Sequence, residues 1–210
     1  MIWWNLSLFR LLFWIVTAFV FLVFSIHLVR EESWQARAVE SVLPSQIIKT
    51  SFKTPRKIST IKLTDDTGNV LNDSFFSGRW SLVSLGFTNC PDVCPFTLAN
   101  LAVVYKKMLE KLAPEDLPKV LFVSVDPQRD EVAAIGDYVK NFNRNFRAAT
   151  GSTEMVDQFV KELGGFYEII NRKGANGYSV NHSAEIFVVD PLGRVVGSLN
   201  PPLKPAATVR

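Results

Sequence analysis

Both cysteines of this 210-residue chain lie in one short segment, Gly86-Phe87-Thr88-Asn89-Cys90-Pro91-Asp92-Val93-Cys94-Pro95. The apolar run Trp80 to Phe87 that precedes it is typical of a buried strand, and apolar residues at helical spacing follow it from Phe96 to Leu112. The segment therefore predicts a dithiol between a core strand and the amino-terminus of a helix. A helix amino-terminus favours the thiolate form, so this position suits either soft-metal binding or thiol redox chemistry.

Three residues separate the two cysteines, Pro91-Asp92-Val93. If the helix begins within the segment, this i, i+4 pair lies on one face with Cα atoms about 6 Å apart. That spacing permits a disulfide, and it equally lets two thiolates bind one ion. Thioredoxin-type redox motifs have two intervening residues, and a peroxidase would place Thr88 three positions before Cys90 rather than two. Both mismatches weaken an enzymatic interpretation without excluding it.

The remainder of the domain alternates predicted strands and helices. The hydrophobic patterns predict a hairpin formed by Ile58–Leu63 and Val70–Leu71, and further strands at Val120–Val125, Phe146–Thr150, Phe166–Ile170, Ala184–Val189 and Arg194–Leu199. They predict one helix that is capped by Asp130 and runs through Phe142, and another that is capped by Ser152 or Thr153 and ends at Leu163. Asn171–Tyr178 is predicted to be a loop. Alternating strands and helices indicate an α/β fold, with a central sheet covered by helices on both faces. The final hairpin makes that sheet mixed.

The amino-terminal region predicts a membrane anchor. Leu11 to Val29 is a run of nineteen uncharged residues bounded by Arg10 and Arg30, and as a helix it would span about 28 Å, close to the bilayer hydrocarbon thickness. A cleaved signal peptide has a shorter apolar region. We therefore expect one transmembrane helix in an anchor over residues 1–32, followed by a polar tether over residues 33–57.

Basic residues flank the two ends of the anchor almost equally, so their distribution does not determine its orientation. A short amino-terminal tail before a long domain instead favours a tail on the cytoplasmic side. We expect the domain to lie outside the cytoplasm. Charge excludes one class of partner: the chain has 23 basic and 20 acidic side chains, a net charge of +3, with no dense basic stripe. Nucleic-acid binding relies on phosphate neutralisation, so no nucleic-acid partner is expected.

His182 is the one histidine outside the predicted anchor. A lone histidine in a loop is usually a surface residue, but His182 lies directly before a predicted core strand. In a wound sheet that strand end can return beside the carboxyl end of the first strand, where ligands bind. Two thiolates and one imidazole are soft ligands that select Cu(I), and an added oxygen or water also accommodates Cu(II). Zinc would be left with an open fourth position.

Three segments resemble the signatures of the Sco/SenC family: Gly86 to Pro95, Val123 to Asp130, and Val180-Asn181-His182-Ser183-Ala184 followed by Asp190-Pro191-Leu192-Gly193. These are membrane-anchored, thioredoxin-like copper proteins that help to assemble the CuA centre of cytochrome c oxidase. The resemblance implies a thioredoxin-like fold over residues 58–200. It also implies that Cys90, Cys94 and His182 are copper ligands, and that the two cysteines cycle between dithiol and disulfide.

The expected function is that of a copper metallochaperone rather than an enzyme. It would deliver copper to the CuA-bearing subunit of cytochrome c oxidase or to another copper-accepting protein. The alternative is a thiol-disulfide oxidoreductase that keeps an oxidase subunit's cysteines reduced, which needs both thiols but not His182. A redox or copper sensor is a weaker alternative, because the sequence has no output module. We expect a bacterial inner membrane with the domain facing the periplasm, or alternatively the mitochondrial inner membrane.

Two features depart from the family pattern. The family usually has Asp directly before the histidine, where this chain has Asn181, and a carboxylate there could orient the imidazole or supply an oxygen near Cu(II). The family also tends to end in a further helix, whereas residues 201–210 are expected to form a tail. Asp126 matches a family position, and we expect it to shape the strand-to-helix loop rather than bind metal.

Overall fold

The computed structural model describes residues 13–26, 50–59, 61–171 and 177–204. The chain divides into two compact units, Met1–Val42 and Leu43–Arg210. The described part of the first unit is helix α1, residues 13–26, whose apolar side chains are mostly exposed. No helix within the described ranges has both the length and the apolar character needed to cross a membrane. Both ends of the predicted span Leu11–Val29 lie outside those ranges, as does most of the predicted tether.

The second unit is built on a mixed sheet of eight strands. These are β1 (Thr50–Lys57), β2 (Leu63–Asp65), β3 (Val70–Leu71), β4 (Ser81–Gly86), β5 (Lys119–Ser124), β6 (Arg147–Thr150), β9 (Ile186–Val189) and β10 (Arg194–Leu199). Their order is β1-β10-β9-β4-β5-β6-β2-β3, with β4, β5 and β6 parallel and the other neighbours antiparallel. A separate two-stranded hairpin consists of β7 (Tyr167–Asn171) and β8 (Tyr178–His182).

Helices cover both faces of the sheet. They are α2 (Val93–Leu109), α3 (Val132–Lys140) and α4 (Thr153–Leu163), with a short 3-10 helix at Asp73–Phe76. Alternate residues of β4 enter two different cores: Val83 packs on the face that α4 covers, and Leu82 packs on the face that α2 and α3 cover. All six residues of β4 are buried, as expected of a central strand with both faces covered. The carboxyl end of β4 is therefore held rigidly.

The ends of helix α4 follow from local sequence. Ser152 is its N-cap and accepts the Met155 backbone N–H at 3.4 Å, and Gly164 ends the helix in the left-handed region with φ 82°. Both features were predicted. The other two helices differ from prediction: α2 runs from Val93 to Leu109 rather than from Phe96 to Leu112, and α3 ends at Lys140 rather than at Phe142.

Replacing Ser152 with alanine is expected to destabilise the protein by about 1 kcal/mol, because an amino-terminal N–H of α4 loses its acceptor. For a domain of this size, thermal unfolding should show a fall in Tm of roughly 2–4 °C. Thr153→Ala, at the next position, is the matched control and should cause a smaller change. Equal losses in the two variants would mean that the hydrogen bond from Met155 contributes nothing.

Two parts of the sheet domain lie outside its predicted limits. Strand β1 occupies the end of the predicted tether and pairs antiparallel with β10, from Thr50↔Ser198 to Lys57↔Arg194. Its register shifts between Ser51 and Arg56, and such an edge-strand irregularity tolerates Pro55, which the sequence pattern treats as a breaker. At the other end, Leu203 of the predicted tail is buried, and its backbone bonds to the Asn100 side chain in α2 at 2.6 and 3.0 Å.

Candidate metal centre

Gly86, the last residue of β4, lets the cysteine segment approach the sheet closely. A Cβ atom at this position would lie 2.5 Å from Phe122 Cε2 and 3.0 Å from Cys94 Sγ. Any side chain here would therefore collide with a buried ring and with a cysteine sulfur. Glycine at the strand end allows Cys94 to sit directly against the core.

Helix α2 begins earlier than its apolar pattern predicts, and this places Cys94 in its first turn. The backbone N–H of Cys94 points at Cys90 Sγ, at a distance of 3.4 Å. Unpaired N–H groups at a helix amino-terminus are natural donors to an anionic or electron-rich atom. Both cysteines are free thiols; Cys90 is partly exposed and Cys94 is buried.

The burial of Cys94 determines its protonation state. Burial raises the pKa of the Cys94 thiol far above its usual range, and the adjacent Cys90 sulfur raises it further. Cys94 is therefore a protonated thiol at neutral pH until a bound cation displaces the proton, and not the thiolate that its position at a helix amino-terminus predicts, because burial outweighs the effect of the helix. Metal binding at this sulfur must release that proton to solvent.

His182 ends strand β8, directly opposite Tyr167 of β7. Its Nε2 lies 3.3 Å from Cys94 Sγ, and its Nδ1 lies 2.9 Å from the carbonyl oxygen of Ser183. A carbonyl only accepts hydrogen bonds, so Nδ1 carries the hydrogen and Nε2 presents its lone pair towards the sulfur. Burial lowers the pKa of His182, and its imidazole is therefore neutral at pH 7 and ready to bind a cation.

The three residues converge on one point. Cys90 Sγ, Cys94 Sγ and a ring nitrogen of His182 all lie within 4.8 Å of one another. The structure thus brings together all three of the predicted ligand residues, although His182 lies 88 positions after Cys94 in the sequence. Two sulfurs and one imidazole nitrogen form a soft donor set with the right number of atoms for a three-coordinate cation.

Asn181 does not take the role that a carboxylate at this position was expected to have. Its side chain is exposed. The imidazole is instead oriented through its Nδ1 hydrogen bond to the backbone of Ser183. That bond fixes the tautomer without a charged neighbour, so the replacement of Asp by Asn leaves a defined orientation for the ring.

Asp130 has a different role from the predicted helix cap. Its carboxylate accepts the Thr88 backbone N–H at 2.9 Å, the Thr88 hydroxyl, and the Ser124 hydroxyl at 2.5 Å. Glu131 occupies the N-cap position of α3 and makes no side-chain capping bond. Asp130 therefore ties the loop that carries Cys90 to the end of β5. The predicted cap was wrong because a residue 42 positions away competes for the carboxylate.

Sequence reasoning also missed a cluster around Asp126. The Asp126 side chain is fully buried and is not one of the three residues of the cysteine–histidine group. It accepts hydrogen bonds from Arg129 Nε and from the Tyr178 hydroxyl, each at 2.5 Å. The available signal was Arg129 in the Val123–Asp130 signature, but Tyr178 fell in a predicted loop. The structure places it in β8, so that His182 ends a strand rather than a loop.

Comparison with known proteins agrees with this geometry. The SCO1/SenC family model matches residues 50–210. The chain belongs to the SCO1/SenC family. Among relatives of this SCO1/SenC protein, the mitochondrial SCO2 homolog of Mus musculus is 38% identical over 133 residues, covering 62% of this chain and 51% of the relative. A putative copper-binding protein of Stutzerimonas stutzeri is 31% identical over 150 residues, covering 71% and 72%. The chain spans about half the length of the mitochondrial relatives it matches.

Solved structures confirm the predicted α/β fold with its mixed sheet as that of Sco proteins. The apo Sco1 solution structure from Thermus thermophilus is 35% identical with a TM-score of 0.64, covering 77% of this chain and 91% of that one. The crystal structure of Arabidopsis thaliana ScoI with copper bound is 27% identical with a TM-score of 0.63, covering 73% and 91%. The SCO1/SenC domain described here is therefore thioredoxin-like, as the sequence resemblance implied.

Proposed function

We propose that the protein is a copper metallochaperone. It binds one Cu(I) ion through Cys90, Cys94 and His182 and passes it to a copper-accepting protein. The observation that carries the proposal is the convergence of two cysteine sulfurs and an imidazole nitrogen within 4.8 Å. Such a soft set favours Cu(I) over harder cations, and an added water would adapt it to Cu(II).

The copper-bound structures of Sco proteins from Arabidopsis thaliana and Bradyrhizobium japonicum support this choice of metal. They are 27% and 28% identical to this chain. We infer that the acceptor is the CuA-bearing subunit of cytochrome c oxidase. Transfer proceeds by ligand exchange, in which an acceptor thiolate replaces one ligand at a time and the copper keeps its oxidation state throughout.

The location of this activity is part of the proposal. The uncharged run Leu11–Val29 serves as a single membrane anchor, and α1 is its described central part. The domain then works outside the cytoplasm, on the periplasmic side of a bacterial inner membrane or, as the alternative, at the mitochondrial inner membrane. Copper delivery to a membrane-bound oxidase requires that donor and acceptor face the same compartment.

A second candidate function follows from the unequal burial of the two cysteines. Cys90 is partly exposed and Cys94 is buried beside it, an arrangement suited to an attacking and a resolving thiol. Cys90 would attack a partner disulfide, and Cys94 would then displace the partner sulfur. One Cys90–Cys94 disulfide forms, and the partner gains two electrons and two protons as two thiols. A reduced acceptor can then bind copper, so the two activities are compatible.

Replacing His182 with alanine separates the two candidates. We expect the full-length protein, reduced and purified in detergent, to bind one Cu(I), and His182→Ala to bind it about 100-fold more weakly, or roughly 3 kcal/mol. Competition with a Cu(I) chelator measures this affinity. Formation of the mixed disulfide between Cys90 and a model disulfide should change little, since the imidazole bonds to Cys94, the resolving thiol, and this first step uses only Cys90.

Asn181→Ala provides the matched control, because the neighbouring exposed side chain should affect neither assay. Unchanged Cu(I) affinity in His182→Ala would show that the histidine is not a copper ligand. Together with intact disulfide reduction, that result would favour the oxidoreductase. A wild-type protein that binds no Cu(I) would refute the chaperone altogether.

A further inference from the structure

The three proposed ligands come from parts of the fold that are held in different ways. Cys90 lies between the central strand β4 and helix α2 and Cys94 in the first turn of α2, whereas His182 lies on hairpin β7–β8, which forms its own two-stranded sheet. The position of the imidazole therefore depends on side-chain and loop contacts of the hairpin. At its base, Phe166 and Ser183 exchange two hydrogen bonds of 3.0 Å each.

Arg129 holds the hairpin at the start of β8. Its guanidinium carbon lies 3.8 Å from the centroid of the Tyr178 ring, and Nη1 donates to the Tyr178 carbonyl at 3.1 Å. The Tyr178 hydroxyl and Arg129 Nε each bond to a different oxygen of Asp126. Asp126, Arg129 and Tyr178 thus close a three-residue ring of contacts, hereafter the Arg129 clamp. It joins the β5–α3 loop to β8.

Phe87 links the Arg129 clamp to the metal centre. The guanidinium carbon of Arg129 lies 5.6 Å from the Phe87 ring centroid. The Phe87 ring also meets the His182 imidazole edge-on, with centroids 6.0 Å apart and planes at 89°. Strand β8 is therefore held at Tyr178 by the clamp and at His182 by a ring that itself contacts the clamp.

We propose that the Arg129 clamp is the positioning device that makes His182 the third copper ligand. None of the hydrogen bonds and ring contacts that form the clamp involves a cysteine, so its loss leaves the dithiol intact. The bond to Ser183 still sets the tautomer of the ring, but β8, which carries the imidazole, loses its attachment to the β5–α3 loop. Copper then remains on Cys90 and Cys94 in a two-coordinate site. This inference rests on the proposed copper-binding function. It adds that Asp126, Arg129 and Tyr178, which bind no metal themselves, position the third ligand.

A purely structural role for the same contacts is the competing explanation. Removing Arg129 entirely would leave the buried Asp126 carboxylate without its cation and destabilise the fold. Two milder variants avoid that problem from opposite sides. Arg129→Lys keeps a cation for Asp126 but loses the planar stack on Tyr178. Tyr178→Leu keeps the Arg129–Asp126 pair and removes the ring on which the guanidinium lies.

The experiment uses the full-length reduced protein loaded with one equivalent of Cu(I). X-ray absorption reports the number of sulfur and imidazole ligands, and chelator competition reports the affinity. We expect Arg129→Lys and Tyr178→Leu to lose imidazole scattering, retain two sulfur ligands and bind Cu(I) about 10–100-fold more weakly. Combining Arg129→Lys with His182→Ala should weaken binding no further than His182→Ala alone.

Arg194→Lys is the matched control, because Arg194 forms a similar ion pair with the buried Asp190 in the β9–β10 turn, Nε to Oδ2 at 2.7 Å. It should leave coordination and affinity unchanged. Imidazole scattering at wild-type strength in both clamp variants, or additive losses in the double variant, would overturn the inference. A wild type without copper, or a His182→Ala variant of undiminished affinity, would instead refute the copper site itself.

Discussion

Serine in place of Cys94 is expected to reduce Cu(I) affinity at least about 1000-fold, or roughly 4 kcal/mol. A hydroxyl is a hard ligand that does not ionise near neutral pH, whereas Cu(I) requires soft donors. Cys94 is also the central member of the proposed set: its sulfur lies 3.3 Å from His182 Nε2, and its N–H is directed at Cys90 Sγ. A hydroxyl of similar size can still donate to His182, so folding should be preserved.

Chelator competition on reduced full-length protein measures this loss, and thermal unfolding of the same samples tests that the fold is intact. Thr97→Ser, a conservative change at another buried position of α2, should leave Cu(I) affinity unchanged. One copper bound by Cys94→Ser with the affinity of the wild type would place the copper site elsewhere in the chain.

Alanine at Gly86 is expected to lower both stability and Cu(I) affinity. Its Cβ would lie 2.5 and 2.9 Å from two atoms of the Phe122 ring and 3.0 Å from Cys94 Sγ. Both neighbours are buried, so the added methyl group forces the strand end and the first turn of α2 apart. Such overpacking costs about 1–3 kcal/mol, which corresponds to a fall in Tm of roughly 2–12 °C.

Displacing Cys94 changes the distance between the proposed ligand atoms, so Gly86→Ala should also bind Cu(I) about 10-fold or more weakly. Gly68→Ala is the control: φ is +82° at Gly68, so alanine there is strained, but its Cβ has no neighbour within 4 Å. That variant should lose some stability while keeping its copper affinity. Equal copper affinity in the two variants would contradict the role given to Gly86.

The amino-acid sequence predicts the parts of this site that depend on neighbouring residues. The strand before Cys90 and the helix after Cys94 follow from hydrophobic spacing, and the Ser152 cap follows from residue type. Topology allows the approach of His182 to the cysteines, because in a wound sheet the strand that follows His182 can return beside β4. In the structure that strand, β9, is indeed a direct neighbour of β4.

Other contacts could not be predicted because their partners are far apart in sequence. The local sequence predicts Asp130 as a helix cap, but in the structure its carboxylate accepts hydrogen bonds from Thr88, 42 positions earlier in the chain. Tyr178 follows a Gly- and Asn-rich stretch that favours a loop, and only its pairing with β7 and its contacts with Arg129 make it part of a strand. Strand β1 carries Pro55 and has no alternating pattern, and it becomes a strand by pairing with β10 at the edge of the sheet. In each case a distant tertiary partner overrides a local preference.

The proposed ligands are divided between the β4–α2 segment and hairpin β7–β8. This division would let the binding affinity for copper and the rate of its release depend on different parts of the fold. The ability to bind copper depends mainly on the two sulfurs, which lie within five residues of one another directly after the buried strand β4. In the proposed site, displacement of the imidazole would open one coordination position to an incoming thiolate while the two sulfurs keep the copper bound. Changes in the contacts of the hairpin would then alter the rate of copper release more than the ability of the two sulfurs to bind it.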